Sequence, residues 1–154
     1  MAEMQISADL NEVLITYALG SCLGLTIYDP VARIAGMLHA MLPDSSIDTV
    51  KASSSPSTFI DTGVPALFKA AYALGARKER IVAKVAGGAK ASLQPGGDYF
   101  QIGKRNFLKL REMFWRNGVL IAAADVGGAV SRTMLIEVGT GIVHLRMNGS
   151  ERPL

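Results

Sequence analysis

Nucleophilic chemistry in this chain rests on its only cysteine, Cys22, and on His39, one of two histidines, 17 positions further on. A free thiol has a pKa of about 8.5 and is mostly protonated at neutral pH. An imidazole beside it can take the proton, lower that value and leave a thiolate. Gly20-Ser21 precedes Cys22 and permits a tight backbone turn, which can aim N–H groups at a developing oxyanion. An imidazole base needs a third group to hold one tautomer, and Thr16, six positions before Cys22, is the candidate. The plain alternatives are a buried cysteine acting as a small hydrophobe and a structural histidine. Metal chemistry finds few ligands, since the other histidine, His144, falls in a terminal hairpin, at a sheet edge or facing solvent. No metal and no cofactor are expected.

Positioning these residues falls to the elements around them. Residues 13–17 form a β-branched run that reads as a strand, broken by Gly20-Ser21. Residues 23–28 alternate with period two, Asp29-Pro30 signals a turn, and residues 33–41 read as a third strand ended by Pro43. A hairpin centred on Asp29-Pro30-Val31-Ala32 pairs Tyr28 with Arg33 and carries Cys22 directly opposite His39. Opposed Cβ atoms lie about 4.5–5.5 Å apart. A slip of one residue would send His39 to the other face.

Downstream, residues 44–57 are polar and serine-rich and read as a long loop of the kind that flanks functional sites. Apolar residues from Phe59 to Leu74 follow helical spacing, with Gly63 and Pro65 weakening the first turn and Gly75 where a C-terminal cap belongs. A strand at 81–86 ends in Gly87-Gly88, which either lets a substrate backbone approach or simply turns the chain. A second loop spans 90–102. Phe107, Leu108, Leu110, Met113, Phe114 and Trp115 then form an amphipathic helix stopped by Asn117-Gly118. A strand at 119–124 and a hairpin of 133–138 with 142–147 complete the reading. With about seven strands and two main helices, the expected class is α/β (α+β): mixed, largely antiparallel sheets with helices on one face.

Composition agrees with a folded domain spanning 1–154. Hydrophobic residues make up 49% and charged residues 19%. The net charge is +3, and the basic residues are scattered rather than gathered into a stripe, which speaks against a nucleic-acid partner. A lone cysteine excludes an internal disulfide. Met1-Ala2-Glu3-Met4-Gln5 carries no secretory pattern, and no apolar run reaches the roughly 18 residues of a membrane span. The expected location is cytoplasmic, where a thiol stays reduced.

Several motifs, in order along the chain, carry a resemblance. Thr16-Tyr17-Ala18-Leu19-Gly20-Ser21-Cys22 resembles the Thr-x-x-x-Gly-Ser-Cys signature of the bacterial chemotaxis deamidases, the CheD family. Tyr28-Asp29-Pro30, Gly36-Met37-Leu38-His39-Ala40-Met41-Leu42-Pro43 and Phe59-Ile60-Asp61-Thr62-Gly63 look like it too. So do Ala86-Gly87-Gly88-Ala89, Ile102-Gly103-Lys104-Arg105-Asn106, Asp125-Val126-Gly127-Gly128, Arg132 and Thr140-Gly141. The likeness runs from about residue 12 to 147, and Ser131 departs from it where a glycine often stands.

The resemblance implies an enzyme that converts chemoreceptor glutamines to glutamate through a cysteine thioester, with Cys22, His39 and Thr16 as its catalytic residues. Glutamate methylesterase chemistry would be a side activity. It further implies a layered sandwich similar to the deamidating domain of cytotoxic necrotizing factors, and a CheC-type phosphatase as partner. The alternatives are a regulatory adaptor that binds CheC and receptors without turnover, and a cysteine peptidase.

Overall fold

Period-two alternation dominates the chain, and the computed structural model, which describes residues 2–154, gathers it into two sheets. The strands among these residues are β1 (Glu3–Ser7), β2 (Val13–Leu19), β3 (Leu23–Asp29), β4 (Ile34–Ala40), β5 (Val82–Gly87), β6 (Ile121–Val126), β7 (Arg132–Glu137), β8 (Val143–Met147) and β9 (Ser150–Pro153). The helices are α1 (Thr49–Ser54), α2 (Ile60–Ala73) and α3 (Ile102–Asn117). One sheet has the order β1-β4-β3-β5-β6 and the other β2-β7-β8-β9. Among these strands only the β5–β6 pairing is parallel. The mixed α+β class with two sheets thus agrees with the sequence reading.

Alternation decides which side chains meet. Leu23, Leu25 and Ile27 of β3, with Ile34 and Leu38 of β4, pack with Leu67, Phe68, Leu110 and Phe114 from α2 and α3. The intervening residues Tyr28, Ala35 and Met37 face the second sheet, against Leu14, Met134 and Ile136. Every residue of β3 and β4 is buried, because these central strands are covered on both faces. Burying one such Leu or Ile contributes about 1.5–3 kcal/mol. Gly63 lets α2 lie close on β4, since a Cβ there would stand 3.0 Å from a Leu38 methyl. Gly75 closes α2 as expected: it adopts φ +108°, its N–H reaches Tyr72 O, and Ala76 N–H reaches Ala71 O.

Three features differ from the sequence reading. First, the β3–β4 turn lies one residue later: Asp29 pairs with Ile34, and His39 stands opposite Gly24 rather than Cys22. The cause is Asp29, whose carboxylate accepts the Val31 and Ala32 N–H groups while its carbonyl accepts Arg33 N–H, with Arg33 at φ +55°. Second, residues 44–57 are not a loop. They hold 3₁₀ turns at Ser45–Ile47 and Pro56–Thr58 on either side of α1. Asp44 and Asp48 cap successive starts through Ser46 and Lys51 N–H. Third, β1 and β9 add strands at sheet edges, and on α3 Leu108 and Trp115 face solvent while Leu110 and Phe114 enter the core.

Candidate active site

Cys22 follows an irregular end of β2. Thr16 pairs with Met134 but Leu19 pairs with Arg132, so a bulge lies between them, and Ala18 takes φ +57°. The bulge turns Leu19 fully inward. Gly20 was expected to make the tight turn, yet a Cβ there would meet nothing within 4 Å; the left-handed residue is Ala18. Three carbonyls of this turn are tied back. Gly20 O accepts from Ala89 N–H (2.8 Å), Ser21 O from Asn106 Nδ2 (3.0 Å) and Cys22 O from Gly88 N–H (2.9 Å). Gly20 N–H is spent on Ala18 O, whereas the N–H groups of Ser21 and Cys22 reach no backbone carbonyl among the described residues.

His39 points into the space between the sheets, on the same face of β4 as Met37 and Ala35. Thr16, on the facing β2, is fully buried, and its Oγ1 lies 2.8 Å from His39 Nδ1. The other ring nitrogen, Nε2, is buried with no hydrogen-bond partner. Burial, the larger effect, holds the imidazole pKa down to about 4 although the Glu3 carboxylate pulls it upward. The ring is therefore neutral at pH 7.

Cys22 is half-buried and packs against the same inter-sheet cluster as Leu19 and Met37. His39 stands opposite Gly24, and Cys22, in the bend two positions before Gly24, packs on the same inter-sheet side instead of facing His39 directly. No hydrogen bond joins Sγ to Nε2. Burial pushes the Cys22 thiol pKa up, so the resting residue is a thiol, not the thiolate that a neighbouring imidazolium would stabilise.

Three further residues hold this arrangement, and their roles were not read from the sequence. Asn106 is fully buried, and its Nδ2 donates to both Ser21 O and Met41 O, each at 3.0 Å. It thereby straps the cysteine turn to the chain just past His39, and its Oδ1 has no partner. Buried Arg132 donates to Asp125 (2.9 Å), Gly127 O (2.9 Å), Val130 O (3.0 Å) and Gly87 O (3.5 Å). Arg152 also contacts Asp125. Glu3 accepts from Thr16 Oγ1 at 3.1 Å. The signal for Glu3 was the alternation of Glu3, Gln5 and Ser7 with Met4 and Ile6, which marks an edge strand.

Gly87 and Gly88 approach the chain itself. A Cβ on Gly87 (φ +108°) would stand 2.3 Å from Cys22 O, and one on Gly88 (φ +60°) would stand 3.0 Å from Gly103 O. The small size of Gly87 thus lets β5 back the cysteine turn, and that of Gly88 lets the start of α3 lie close. The 90–101 segment leaves this turn at Ala89 and borders a cavity of about 350 Å3 lined by Gly88, Lys90, Asp98, Gln101 and Lys104. The 44–57 segment is tied to α2 by Ser45–Asp61 bonds and lies near α3 through Lys109 and Asp44. A separate cleft of about 280 Å3 between α2 and α3, walled by Phe68, Tyr72 and Phe114, does not include Thr16, Cys22 or His39. His144 sits near Glu137 and Glu151 in the second sheet, away from the inter-sheet site.

Comparison with known proteins adds a family. Residues 41–147 match the family model described as CheD chemotactic sensory transduction. The chain is 46% identical over 149 residues to the probable chemoreceptor glutamine deamidase CheD 1 of Syntrophus aciditrophicus, covering 97% of this chain and 92% of that protein. It is 46% identical over 154 residues to the probable chemoreceptor glutamine deamidase CheD of Solibacter usitatus, covering 100% and 90%. For the protein of that name from Pyrococcus abyssi the identity is 37% over 134 residues, covering 87% and 81%. The family-model match begins past Thr16, Cys22 and His39, and the full-length match to the Solibacter protein takes them in.

Proposed function

The chain belongs to the CheD family, and from that premise we propose that it deamidates glutamine side chains of chemoreceptors with Cys22 as nucleophile, His39 as acid and base, and Thr16 as the residue that orients His39. One observation carries this reading: a buried imidazole, fixed at Nδ1 by Thr16, leaves Nε2 without a partner on the face it shares with the only cysteine. A polar nitrogen left unpaired in a core costs about 1–3 kcal/mol, and such a cost marks a site kept for chemistry.

The resting pair is a thiol and a neutral imidazole, so the first step is general-base catalysis. As Sγ attacks the side-chain carbonyl carbon of the glutamine, Nε2 takes the thiol proton and the carbonyl π electrons move to oxygen. The Ser21 and Cys22 N–H groups are the available donors to that oxyanion. The tetrahedral intermediate collapses, the C–N bond breaks, and His39 returns the proton to the departing ammonia. Water then attacks the thioester with His39 as base, the C–S bond breaks, and Cys22 recovers its proton as glutamate leaves. On a receptor helix each turnover adds one negative charge, which alters repulsion between neighbouring acidic positions. Gly87 backs the cysteine turn, and Gly88, which lines the neighbouring cavity, remains within this proposal a place for a substrate backbone to approach.

Within the same proposal the chain is one CheD domain acting in the cytoplasm. Its core is similar to the deamidating domain of cytotoxic necrotizing factors, a CheC-type phosphatase is a partner, and glutamate methyl esters are a secondary substrate. Among the described residues no helix is long and apolar enough to cross a membrane.

Mass spectrometry of receptor cytoplasmic fragments tests the reading. The intact protein should convert defined glutamines to glutamate without cutting the chain, and Cys22→Ala should reduce the rate by more than about 10³-fold. Deamidation that survives Cys22→Ala removes the nucleophile from this account. Unchanged receptor at high protein load favours an adaptor, and chain cleavage favours a peptidase.

A further inference from the structure

We propose that Glu3 is the terminal group of the relay that sets the tautomer of His39, a positioning role that rests on His39 being the general base. A threonine hydroxyl has one hydrogen and two lone pairs. Alone, Thr16 could donate to His39 Nδ1, which would place the ring proton on Nε2 and disable the base. It could equally accept from a protonated Nδ1. The ionised carboxylate of Glu3 can only accept, and its Oε1 lies 3.1 Å from Thr16 Oγ1. The hydroxyl hydrogen therefore goes to Glu3, and Oγ1, 2.8 Å from Nδ1, accepts from the ring. The proton sits on Nδ1. The lone pair sits on Nε2, the atom buried without a partner.

The placement of Glu3 follows from register. β1 pairs with β4 so that Glu3 stands directly opposite His39, and Gln5 opposite Met37, on the inter-sheet face. Gln5 Nε2 also donates to Ile15 O at 3.0 Å, which holds β1 beside β2 so that the carboxylate can reach Thr16. Met4 and Ile6 alternate to the other face, where Ile6 packs on the helix-side core. During turnover the ring becomes imidazolium, and the Glu3 charge then acts on it through Thr16.

Nitrogen NMR of the protein labelled with 15N-histidine reads the tautomer in the free protein, with His144→Asn separating the two histidines. The expected wild-type spectrum has one neutral His39 tautomer, protonated at Nδ1. In Glu3→Ala the two tautomers should mix, and the deamidation kcat should fall by about 10-fold, part of the 10²–10⁴ a general base contributes, with KM unchanged. Glu3→Asp should restore part of both. Thr16→Val should mix the tautomers as Glu3→Ala does, a control in case the Glu3 variant folds poorly. A proton on Nε2 in the wild type, or an unmixed Nδ1–H tautomer in Glu3→Ala, overturns the proposal. These spectra need no substrate, so a wild-type protein with the expected tautomer but no deamidation would refute the proposed function and leave the relay standing.

Discussion

The two ends of the β3–β4 hairpin treat polar groups in opposite ways. At the closed end Asp29, fully buried as a side chain, accepts from Val31, Ala32 and Arg77 N–H and from Nε and Nη2 of Arg80. Although burial opposes ionisation there, these donors, the Arg80 guanidinium foremost, hold its pKa down to about 2. At the open end His39 Nε2 and Asn106 Oδ1 are buried with no partner, and Cys22 keeps its proton. One end of the hairpin thus has its polar group saturated, and the other, where Asn106 of α3 joins it, keeps polar atoms unpaired. Unsatisfied buried groups with shifted pKa values mark a working site, whereas a saturated carboxylate whose pKa is also shifted marks a structural one.

Substitutions at each end should separate these roles. Asp29→Ala leaves several donors unmatched, and because Arg80 is partly exposed and can rehydrate, the loss should be about 3 kcal/mol, lowering Tm by roughly 6–12 °C. Deamidation measured well below that Tm should be unchanged; a lower rate in the folded variant would break the division. Asn106→Ala removes the strap between Ser21 O and Met41 O. Its stability cost should be smaller, about 1–2 kcal/mol, since the orphaned Oδ1 goes with it. Activity should nevertheless fall by at least about 10-fold, as a shift of about 1 Å in a reacting group can cost 10²-fold. Thermal unfolding alongside kcat measures both, and an Asn106 variant with full activity would assign that residue to folding alone.

The two ends should also differ in their response to pH. A carboxylate depressed from 3.8 to about 2 stabilises the fold above pH 3.8, and this contribution is lost as pH falls toward 2. A histidine depressed from 6.5 to about 4 behaves likewise: the unfolded chain gains its proton first, so stability falls between pH 6.5 and 4. Denaturant titrations across pH should show the upper loss removed in His39→Gln and the lower loss removed in Asp29→Asn. If His39→Gln leaves the slope between pH 6.5 and 4 intact, the imidazole is not neutral in the folded state.

Much of this contrast is legible in the sequence, and the rest is hidden for identifiable reasons. Turn and alternation signals place Cys22 and His39 on one face, even though the turn position is read one residue early. The error is harmless to the face because moving the turn by one residue shifts the register by two, and side chains alternate with that period. What hides the true register is the Asp29 side chain, whose bonds to loop amides depend on three dimensions. The end of α2 at Gly75 is legible because a left-handed cap depends on local backbone alone. The 44–57 segment is misread because its helical turns are short and begin at Asp44 and Asp48, caps that resemble loop composition. Gly87-Gly88 shows that close approach is needed but not to what: for Gly87 the answer lies more than 60 positions earlier, at Cys22 O, and for Gly88 at Gly103 O. Glu3 and Asn106 are invisible singly, because each acts through strand or helix neighbours distant in sequence.

The most direct measurement is the intact mass of the protein after rapid mixing with a glutamine-bearing receptor peptide and acid quench. A covalent adduct equal to the peptide less ammonia should form on Cys22, decay as glutamate product appears, and be absent in Cys22→Ala. Product formation without any adduct under conditions that slow hydrolysis, or an adduct on another residue, would contradict nucleophilic catalysis at the open end of the hairpin.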